Sequence, residues 1–415
     1  MSFWRSLLAF GGPGYLVAVG YMDPGNWATD LAGGSRFGYQ LLFVILFANM
    51  MAMVLQALAA RLGIATGMDL AQACRALYRP PVRIALWLLC ETAIIACELA
   101  EVIGTAVALQ LLFGLALPLG VCLAGFNVVV VTLLERGGVR RLDALIMGLM
   151  LVVAVCLGLE TILSRPDFAA LAAGLVPRAS VLANPAALYL AIGILGATVM
   201  PHNLYLHSAI VRDRLTAHDE AEKRRAIRFT SIDTAIALSL AMLVNAAIMI
   251  VAAATFHANG RADVVEIGDA YRLLAPMLGG SIASILFGVA LLASGQNSTI
   301  TGAIAGHVVM EGFTTIRMPV WARRLVLRMI AIVPAAIIAA TAGEAGVGKL
   351  LILSQVVLSL QLPFAVVPLV RITSDRARMG ALLPPRWLIA CAWASAAIII
   401  GLNATLLLAL ATGRL

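Results

Sequence analysis

The sequence predicts an all-α polytopic membrane protein, and three observations support this fold class. The 415 residues are 62% hydrophobic and only 12% charged, with a mean hydropathy of +0.99, a balance that no soluble domain has. Eleven apolar segments recur along the chain, each near or above the roughly 20 residues that cross a bilayer. Two of these segments are interrupted by a proline beside polar side chains.

The eleven predicted spans differ in length. Spans 82–113 and 275–312 are longest and must tilt or extend beyond the membrane, because they exceed the bilayer thickness. In chain order the spans are residues 7–35, 40–62, 82–113, 115–134, 143–163, 186–211, 230–256, 275–312, 322–342, 348–370 and 387–412.

The basic residues predict the orientation of these spans. Lys and Arg collect in the cytoplasmic loops of membrane proteins, so the formal net charge of +8 does not indicate nucleic-acid binding. Alternate connections hold 21 of the 29 basic residues, namely Arg5 and those of segments 61–83, 136–141, 212–228, 317–324 and 371–386. The opposite connections hold seven, which are Arg36, Arg165, Arg178, Arg261, Arg272, Lys349 and Arg414. We therefore expect the N-terminus in the cytoplasm and the C-terminus outside.

The first span is broken in its middle by the stretch 20–30. Asp23 and Asn26 lie three residues apart there, so a partial helical turn places both side chains on one side. Pro24 and Gly25 between them interrupt the helix. A carboxylate at membrane depth is expensive and marks a functional site. The irregular backbone around it must line a cavity or be buried in protein.

A second break, at residues 196–203, lies in the sixth span and again combines a proline with polar side chains. Five spans separate the two breaks, and because five is odd the second unit enters the membrane from the opposite side. Two five-helix units of opposite topology, with matching broken helices, are typical of secondary transporters that bind substrate between the breaks. This pattern predicts one repeat in residues 1–165, a second in 186–372 and an additional helix in 386–415.

The side chains at the two breaks predict a site for a divalent transition metal. Asp23 and Asn26 supply hard oxygen ligands, and Pro201, which has no N–H, frees the carbonyl of Ala197. Met200 adds a thioether, which favours softer transition metals over calcium and magnesium. We expect transport of manganese, iron(II), cobalt or cadmium, with no resident cofactor. The alternative for Met200 is a core methionine that fills a gap.

Other charged or titratable residues lie inside the predicted spans. Glu98 and Glu101 share one face of the third span, and Arg328 in the ninth span is their candidate partner. These groups form either a proton relay or a structural ion pair. His202 follows the second break and titrates near neutral pH, so we expect it to carry or gate protons. His207 is expected to be a structural histidine.

Polar residues of the later spans complete the candidate set. Gln355 and Gln361 are both able to reach the site, and we favour Gln355 because it lies deeper in the apolar run. The cluster 297–299 is expected to form hydrogen bonds between helices. No metalloprotease or serine-hydrolase motif occurs, so an enzyme is not expected. The six cysteines form no C-x-x-C pair and are interpreted as small buried hydrophobic residues.

The segments around both breaks resemble the NRAMP family of proton-coupled divalent metal transporters. The paired signatures are Asp-Pro-Gly-Asn at residues 23–26 and Met-Pro-His-Asn at 200–203. Further similar segments are residues 101–104, 293–296, 299–302, 310–313 and 361–364. The resemblance covers nearly the whole chain, and the length and termini are similar to the bacterial manganese-transporting branch.

The resemblance implies a LeuT-like fold and a set of functional residues. The implied metal ligands are Asp23, Asn26, Met200 and the Ala197 carbonyl, joined in some states by Gln355. The residues implied in proton movement are Asp23, Glu98, Glu101, His202 and Arg328. The first acid of the third-span pair is usually Asp in the family. Glu98 is longer by one methylene, which bears on the stoichiometry of proton coupling.

These expectations describe a proton-coupled importer of manganese and related metals in a bacterial inner membrane, for which a monomer is sufficient. The residues leave two alternatives open. A sodium-coupled symporter of small organic solutes with the same fold would need a substrate pocket in place of Met200. An uncoupled metal uniporter would give uptake that does not respond to a pH gradient.

Overall fold

The computed structural model describes residues 12–136, 139–214, 219–264, 266–278, 280–314 and 318–413. Within these ranges the regular structure is helical and contains no strand, which confirms the all-α prediction. The start of the first predicted span, residues 7–11, lies outside the described residues, as do Arg5 and Arg414.

The α-helices of the described ranges are numbered in chain order. They are α1 Pro13–Gly20, α2 Pro24–Phe37, α3 Leu42–Thr66, α4 Leu70–Leu77, α5 Pro80–Phe113, α6 Leu117–Arg136, α7 Val139–Leu163, α8 Phe168–Gly174, α9 Ala179–Ala183, α10 Pro185–Val199, α11 Pro201–Arg214, α12 Glu220–Thr255, α13 Ile267–Leu278, α14 Ser281–Phe313, α15 Val320–Thr341, α16 Gly343–Thr373, α17 Arg376–Met379 and α18 Arg386–Ala411. Short 3₁₀ turns occupy Gly38–Leu41, His257–Asn259 and Gly380–Leu382.

Eight helical stretches of the described chain are long and apolar enough to cross a membrane. They are Pro24–Thr66, Pro80–Phe113, Arg141–Leu163, Pro185–Arg214, Glu220–Asn259, Ser281–Phe313, Gly346–Thr373 and Arg386–Ala411. Two shorter apolar helices cover Leu117–Phe126 and Leu325–Thr341. The apolar window of Pro185–Arg214 is 94% buried, whereas those of Arg141–Leu163 and Arg386–Ala411 are only 28% buried. The former therefore lies at the centre of the bundle and the latter two at its lipid-facing periphery.

Two helix boundaries differ from the sequence prediction. The eighth span was expected to begin at residue 275, but α14 begins at Ser281 and α13 forms a separate helix. Gly280, the residue before α14, has an extended backbone, which ends helical geometry between the two. The seventh span was expected to begin at residue 230, but α12 begins at Glu220, where Asp219 caps it by accepting a hydrogen bond from the Glu222 N–H at 2.7 Å.

The packing of the long helices places α2 at the centre of the molecule. α2 contacts α12, α10, α16 and α5, while α1 contacts α12, α14 and α11. α14 also packs along α5 and α7, and α10 packs along α16. The two helix pairs α1–α2 and α10–α11 are therefore enclosed by the other long helices, and any group at their junctions is shielded from lipid.

Candidate functional site

The junction between α1 and α2 leaves polar groups without the hydrogen bonds that a continuous helix would give them. α1 ends at Gly20 and α2 begins at Pro24, so Asp23 takes the N-cap position of α2 with an extended backbone. One carboxylate oxygen of Asp23 accepts a hydrogen bond from the Asn26 N–H at 2.8 Å. The amide nitrogen of Asn26 donates back to the Tyr21 carbonyl at 2.9 Å. The cap holds Asp23 and Asn26 on one side of the junction, as their spacing predicts.

The junction between α10 and α11 consists of a single residue in a disfavoured conformation. α10 ends at Val199 and α11 begins at Pro201, while Met200 between them has φ of 28°. A positive φ is rare for residues other than Gly, and where it occurs it is often found at functional sites. Pro201 cannot donate to the carbonyl of Ala197 four residues earlier, as the sequence predicts.

Close backbone contacts bring the two junctions and α16 together. A Cβ on Gly20 would lie 2.4 Å from the amide nitrogen of Asn203, just past the second junction. A Cβ on Gly25 would lie 1.7 Å from the amide nitrogen of Gln355 in α16. Glycine at these two positions therefore allows the side chains of α11 and α16 to reach the first junction.

Besides Oδ1 of Asn203, three buried oxygen acceptors at this meeting point have no hydrogen-bond donor among the described residues. They are Oδ2 of Asp23, Oδ1 of Asn26 and Oε1 of Gln355. The three residues are at most 1% exposed. Buried acceptors are normally satisfied, because desolvation without a partner costs about 1–3 kcal/mol per group. A carboxylate and two amide oxygens without donors form an environment suited to a cation.

Met200 and Ala197 are both fully buried at the second junction. The Met200 side chain packs against Ala93 and Leu358, and its sulfur lies 3.6 Å from the amide nitrogen of Asn203. Met200 therefore packs against apolar side chains, as a core methionine does, and it also forms the junction between α10 and α11. Within the described chain, no three His, Cys, Asp or Glu side chains cluster as in a resident metal site.

The acidic pair of α5 forms one buried cluster with Arg328. The guanidinium of Arg328 donates to Glu98 at 2.6 Å and lies 3.4 Å from Glu101. It also donates to the Thr299 hydroxyl at 3.1 Å, while Ser298 donates to Glu101 at 2.8 Å. The pairing anticipated from the sequence is thus present, and two residues expected to join helices hold its members in place. A buried pair of this kind requires good geometry, since its desolvation is costly.

A second ion pair, which the sequence analysis missed, extends this cluster along α5. Arg323 donates to both carboxylate oxygens of Glu91 at 2.8 and 2.9 Å, and the Trp87 ring nitrogen donates to Glu91 at 2.7 Å. Glu91 precedes Glu98 by seven residues, which is two helical turns, so both lie on one face of α5. That spacing was the signal available in the sequence.

The two histidines of α11 differ in their surroundings. His202 is buried beside the second junction, and its Nδ1 has no partner among the described residues. His207 donates from Nδ1 to the side-chain oxygen Oε1 of Gln56 at 3.0 Å. The side-chain nitrogen of Gln56 donates to the Tyr21 hydroxyl at 2.9 Å. His207 therefore links α11 through α3 to the first junction.

Other contacts at the first junction could not be predicted from the sequence. Asn245 of α12 donates to the Tyr21 carbonyl at 2.8 Å, the same carbonyl that Asn26 uses. Ser294 of α14 donates to the Met22 carbonyl and accepts from the Trp27 ring nitrogen at 3.2 Å. The carbonyls freed by the helix break are thus satisfied from two neighbouring helices, which nothing in local sequence identifies.

One end of the bundle carries an acidic group with a strongly shifted pKa. Burial, together with the nearby charge of Asp269, raises the pKa of Glu266, between α12 and α13, to about 7 despite a hydrogen bond from the Gly348 N–H. Because the native pKa exceeds the unfolded value, this group stabilises the fold fully below about pH 4.5, and the contribution is lost as pH rises through 7.

We expect Glu266→Gln to weaken the pH dependence of the melting temperature. The wild-type melting temperature should fall between pH 5 and pH 8 by more than that of Glu266→Gln, because the amide does not titrate. The measurement is a thermal unfolding series in detergent, with the exposed Glu220→Gln as a control. An unchanged pH slope in Glu266→Gln would show that the shifted pKa belongs to another group.

Comparison with solved structures identifies the class of protein. The fold is similar to that of a mutant of the manganese transporter of Eremococcus coleocola, with a TM-score of 0.89 and 42% identity over 97% of this chain and 86% of that one. It also matches the fold of Mhp1, a nucleobase-cation-symport-1 family transporter, with a TM-score of 0.59 and 17% identity over 97% of this chain and 92% of that one. The protein is a multi-pass membrane transporter and not an enzyme.

The family follows from the sequence comparison. Residues 14–409 match the family model described as Nramp, natural resistance-associated macrophage protein-like, and the chain belongs to this family. It is 61% identical to the divalent metal cation transporter MntH of Xanthomonas campestris, over 99% of this chain and 92% of that protein. It is 56% identical to the divalent metal cation transporter MntH of a Nostoc species, over 98% of this chain and 92% of that protein. The resemblance noted in the sequence is thereby confirmed.

Proposed function

We propose that this protein imports manganese and related divalent transition metals across a bacterial cytoplasmic membrane, coupled to protons. The observation that carries the proposal is the group of buried oxygens of Asp23, Asn26 and Gln355, which lack donors in the described part of the chain, where the two interrupted helices meet. The names of the relatives, divalent metal cation transporter and manganese transporter, support the same substrate class.

The proposed metal site combines hard and soft ligands. Asp23 supplies the one carboxylate, Asn26 and Gln355 supply amide oxygens, and Ala197 supplies the carbonyl freed by the proline. The thioether of Met200 completes the set and shifts preference from calcium and magnesium toward manganese, iron(II), cobalt and cadmium. A site with a single carboxylate suits a transporter, because the ion must also leave.

The proposed proton route runs from Asp23 along α5. Glu101, Glu98 and Arg328 form a continuous buried set of charges, and Glu91 with Arg323 extends it by two helical turns. His202 beside the second junction would accept or gate protons. Charged chains of this kind inside a membrane are typical of proton relays. The Glu98 side chain meets Arg328 at 2.6 Å, so its extra methylene is accommodated by a direct ion pair.

The transport cycle we propose uses an inverted repeat. Residues 1–165 and 186–372 would form two five-helix units of a LeuT-like fold, and 386–415 an eleventh span, with the N-terminus cytoplasmic and the C-terminus periplasmic. The described fold supports this arrangement through its likeness to Mhp1 and through helix ends at Gly20 and Val199. Rocking of one unit against the other would open the midplane site to each side in turn.

The direct test is metal uptake into proteoliposomes containing one dye for manganese and one for pH. We expect manganese entry together with acidification of the interior, and faster entry when the outside is acidic. Uptake without acidification would leave an uncoupled uniporter. Uptake that requires sodium, or no metal uptake by folded protein, would favour the organic-solute symporter instead.

Replacing Met200 by Ala should change metal preference more than overall transport. The thioether favours transition metals, so its loss should raise calcium and magnesium competition against manganese uptake by about tenfold. Competition assays in proteoliposomes measure this directly. The matched control is Met53→Ala, a partly buried methionine packed against the core on α3, a helix that carries neither junction. Unchanged discrimination in Met200→Ala would leave Met200 as a packing residue only.

A further inference from the structure

Two cavities meet at Arg178, at the end of the bundle where α2 ends and α3 begins. The first, which we call the polar cavity, has a volume of about 550 Å³, and its polar lining residues are Gln40, Arg165, Asp167, Arg178 and His257. The second, the apolar groove, has a volume of about 390 Å³ and also includes Arg178. The two cavities share Arg178 as a lining residue, so a polar and an apolar volume lie side by side, and we call the two together the recess.

The apolar groove follows one face of α3 toward the membrane interior. Phe43, Phe47 and Met51 succeed each other at four-residue spacing on that face, opposite Leu195 of α10 and Leu402 of α18. Phe47 is 45% exposed, so the groove is open to the surroundings of the bundle. In a membrane protein those surroundings are acyl chains.

The polar cavity carries positive charge that the described protein leaves unpaired. Neither Arg165 nor Arg178 makes an ion pair or a side-chain hydrogen bond within the described ranges. Asp167 lies in the same cavity, but its carboxylate caps α8 by accepting from the Ala169 and Ala170 N–H groups at 2.9 and 3.2 Å. Two exposed arginines therefore line the cavity together with a single carboxylate, one oxygen of which is engaged in the helix cap.

The short helix α8 closes the polar cavity from one side. A Cβ on Gly174 would lie 2.3 Å from the Tyr39 carbonyl, so α8 packs directly on the turn between α2 and α3. Arg178 then leads into α9 and from there into α10, which ends at the second junction. The recess thus lies between α3 and the helix that carries Ala197.

We infer that this recess binds a phospholipid with an anionic headgroup. The headgroup phosphate would accept from Arg165 and Arg178 in the polar cavity, because guanidinium groups bind phosphate with two parallel hydrogen bonds. One acyl chain would lie in the apolar groove along Phe43 and Phe47. A phospholipid is the membrane component that joins an anionic group to a long apolar chain, and the distribution of basic residues predicts that this site lies in the periplasmic leaflet. The inference does not depend on the transported ion.

The test compares lipid binding by native mass spectrometry of the full-length purified protein. We expect wild type to retain phosphatidylglycerol in preference to phosphatidylcholine and to melt at higher temperature when it is added. The double variant Arg165→Ala/Arg178→Ala should lose this preference by about tenfold or more. The matched control is Arg261→Ala, another arginine of the same predicted face, which pairs with Asp263 at 3.1 Å and lines neither cavity. Equal loss in the control would overturn the inference.

A second variant separates a lipid from a free anion. Val44→Trp narrows the apolar groove and leaves both arginines in place, so it should reduce phosphatidylglycerol retention as well. Inorganic phosphate, added alone, should give no comparable rise in melting temperature. If phosphate protects wild type as well as phosphatidylglycerol does, and Val44→Trp has no effect, the recess binds small anions and the lipid assignment is wrong.

Discussion

Asp23→Asn should abolish manganese uptake in a protein that still folds. Asn is as good an N-cap as Asp, so the hydrogen bond to the Asn26 N–H and the start of α2 should be kept. The change removes the one carboxylate among the proposed ligands. Loss of a charged partner in a buried site costs roughly 3–5 kcal/mol, which lowers metal affinity by at least about 100-fold. Calorimetric manganese titration and proteoliposome uptake measure the two effects.

The matched control for this substitution is Asp30→Asn. Asp30 is also a carboxylate of α2, is 1% exposed, and lies seven residues beyond Asp23, away from the helix junction. It should keep manganese affinity within about tenfold of wild type, because it is not among the proposed ligands. Equal losses in the two variants would show that buried negative charge, and not the geometry of the junction, determines metal binding.

Gly196→Ala should lower both transport and stability although it adds a single methyl group. A Cβ at this position would lie 2.1 Å from the Gln355 carbonyl and 2.7 Å from the Ser359 nitrogen, both backbone atoms of α16. The helices α10 and α16 must then separate, which displaces Ala197 and Gln355 together. Overpacking of this kind costs about 1–3 kcal/mol. We expect a lower melting temperature and a reduction in uptake of about tenfold or more.

Gly148→Ala and Gly158→Ala are the controls for Gly196→Ala. Both glycines lie in the lipid-facing helix α7, and a Cβ on either would meet no atom within 4 Å. The same chemical change should leave uptake and melting temperature close to wild type. Normal transport by Gly196→Ala would mean that the contact between α10 and α16 is not needed to hold the site.

Transport of a divalent ion through a buried site requires the protein to replace the ion's water with its own oxygens. The proposed ligands at the two junctions are buried in this structure, since Asp23, Asn26, Met200 and Gln355 are all at most 1% exposed. The break between α10 and α11 leaves the Ala197 carbonyl without its helical partner. At the first break the Tyr21 carbonyl accepts from Asn26 and Asn245, and the Met22 carbonyl accepts from Ser294. A continuous helix through either position would have satisfied those carbonyls internally.

Much of the proposed site could be predicted from the sequence, because its residues stand out against their neighbours in the chain. Asp23 and Asn26 are polar at membrane depth, and Pro24 and Pro201 interrupt helices wherever they occur inside them. The pairing of Arg328 with the acids of α5 was anticipated because charged side chains inside a membrane pair with one another. Glu91 and Arg323 were missed, although Glu91 repeats the position of Glu98 two turns earlier.

By itself the sequence determined the all-helical membrane class, the positions of both helix breaks and the charged residues that lie within apolar segments. These features depend on composition and on residues near one another in the chain. Only the tertiary structure decided which distant groups meet: Gln355 at Gly25, Asn203 at Gly20, and Asn245 at the Tyr21 carbonyl. Such contacts depend on how closely helices approach one another, and small residues at the crossing points set that distance in ways that local sequence does not reveal.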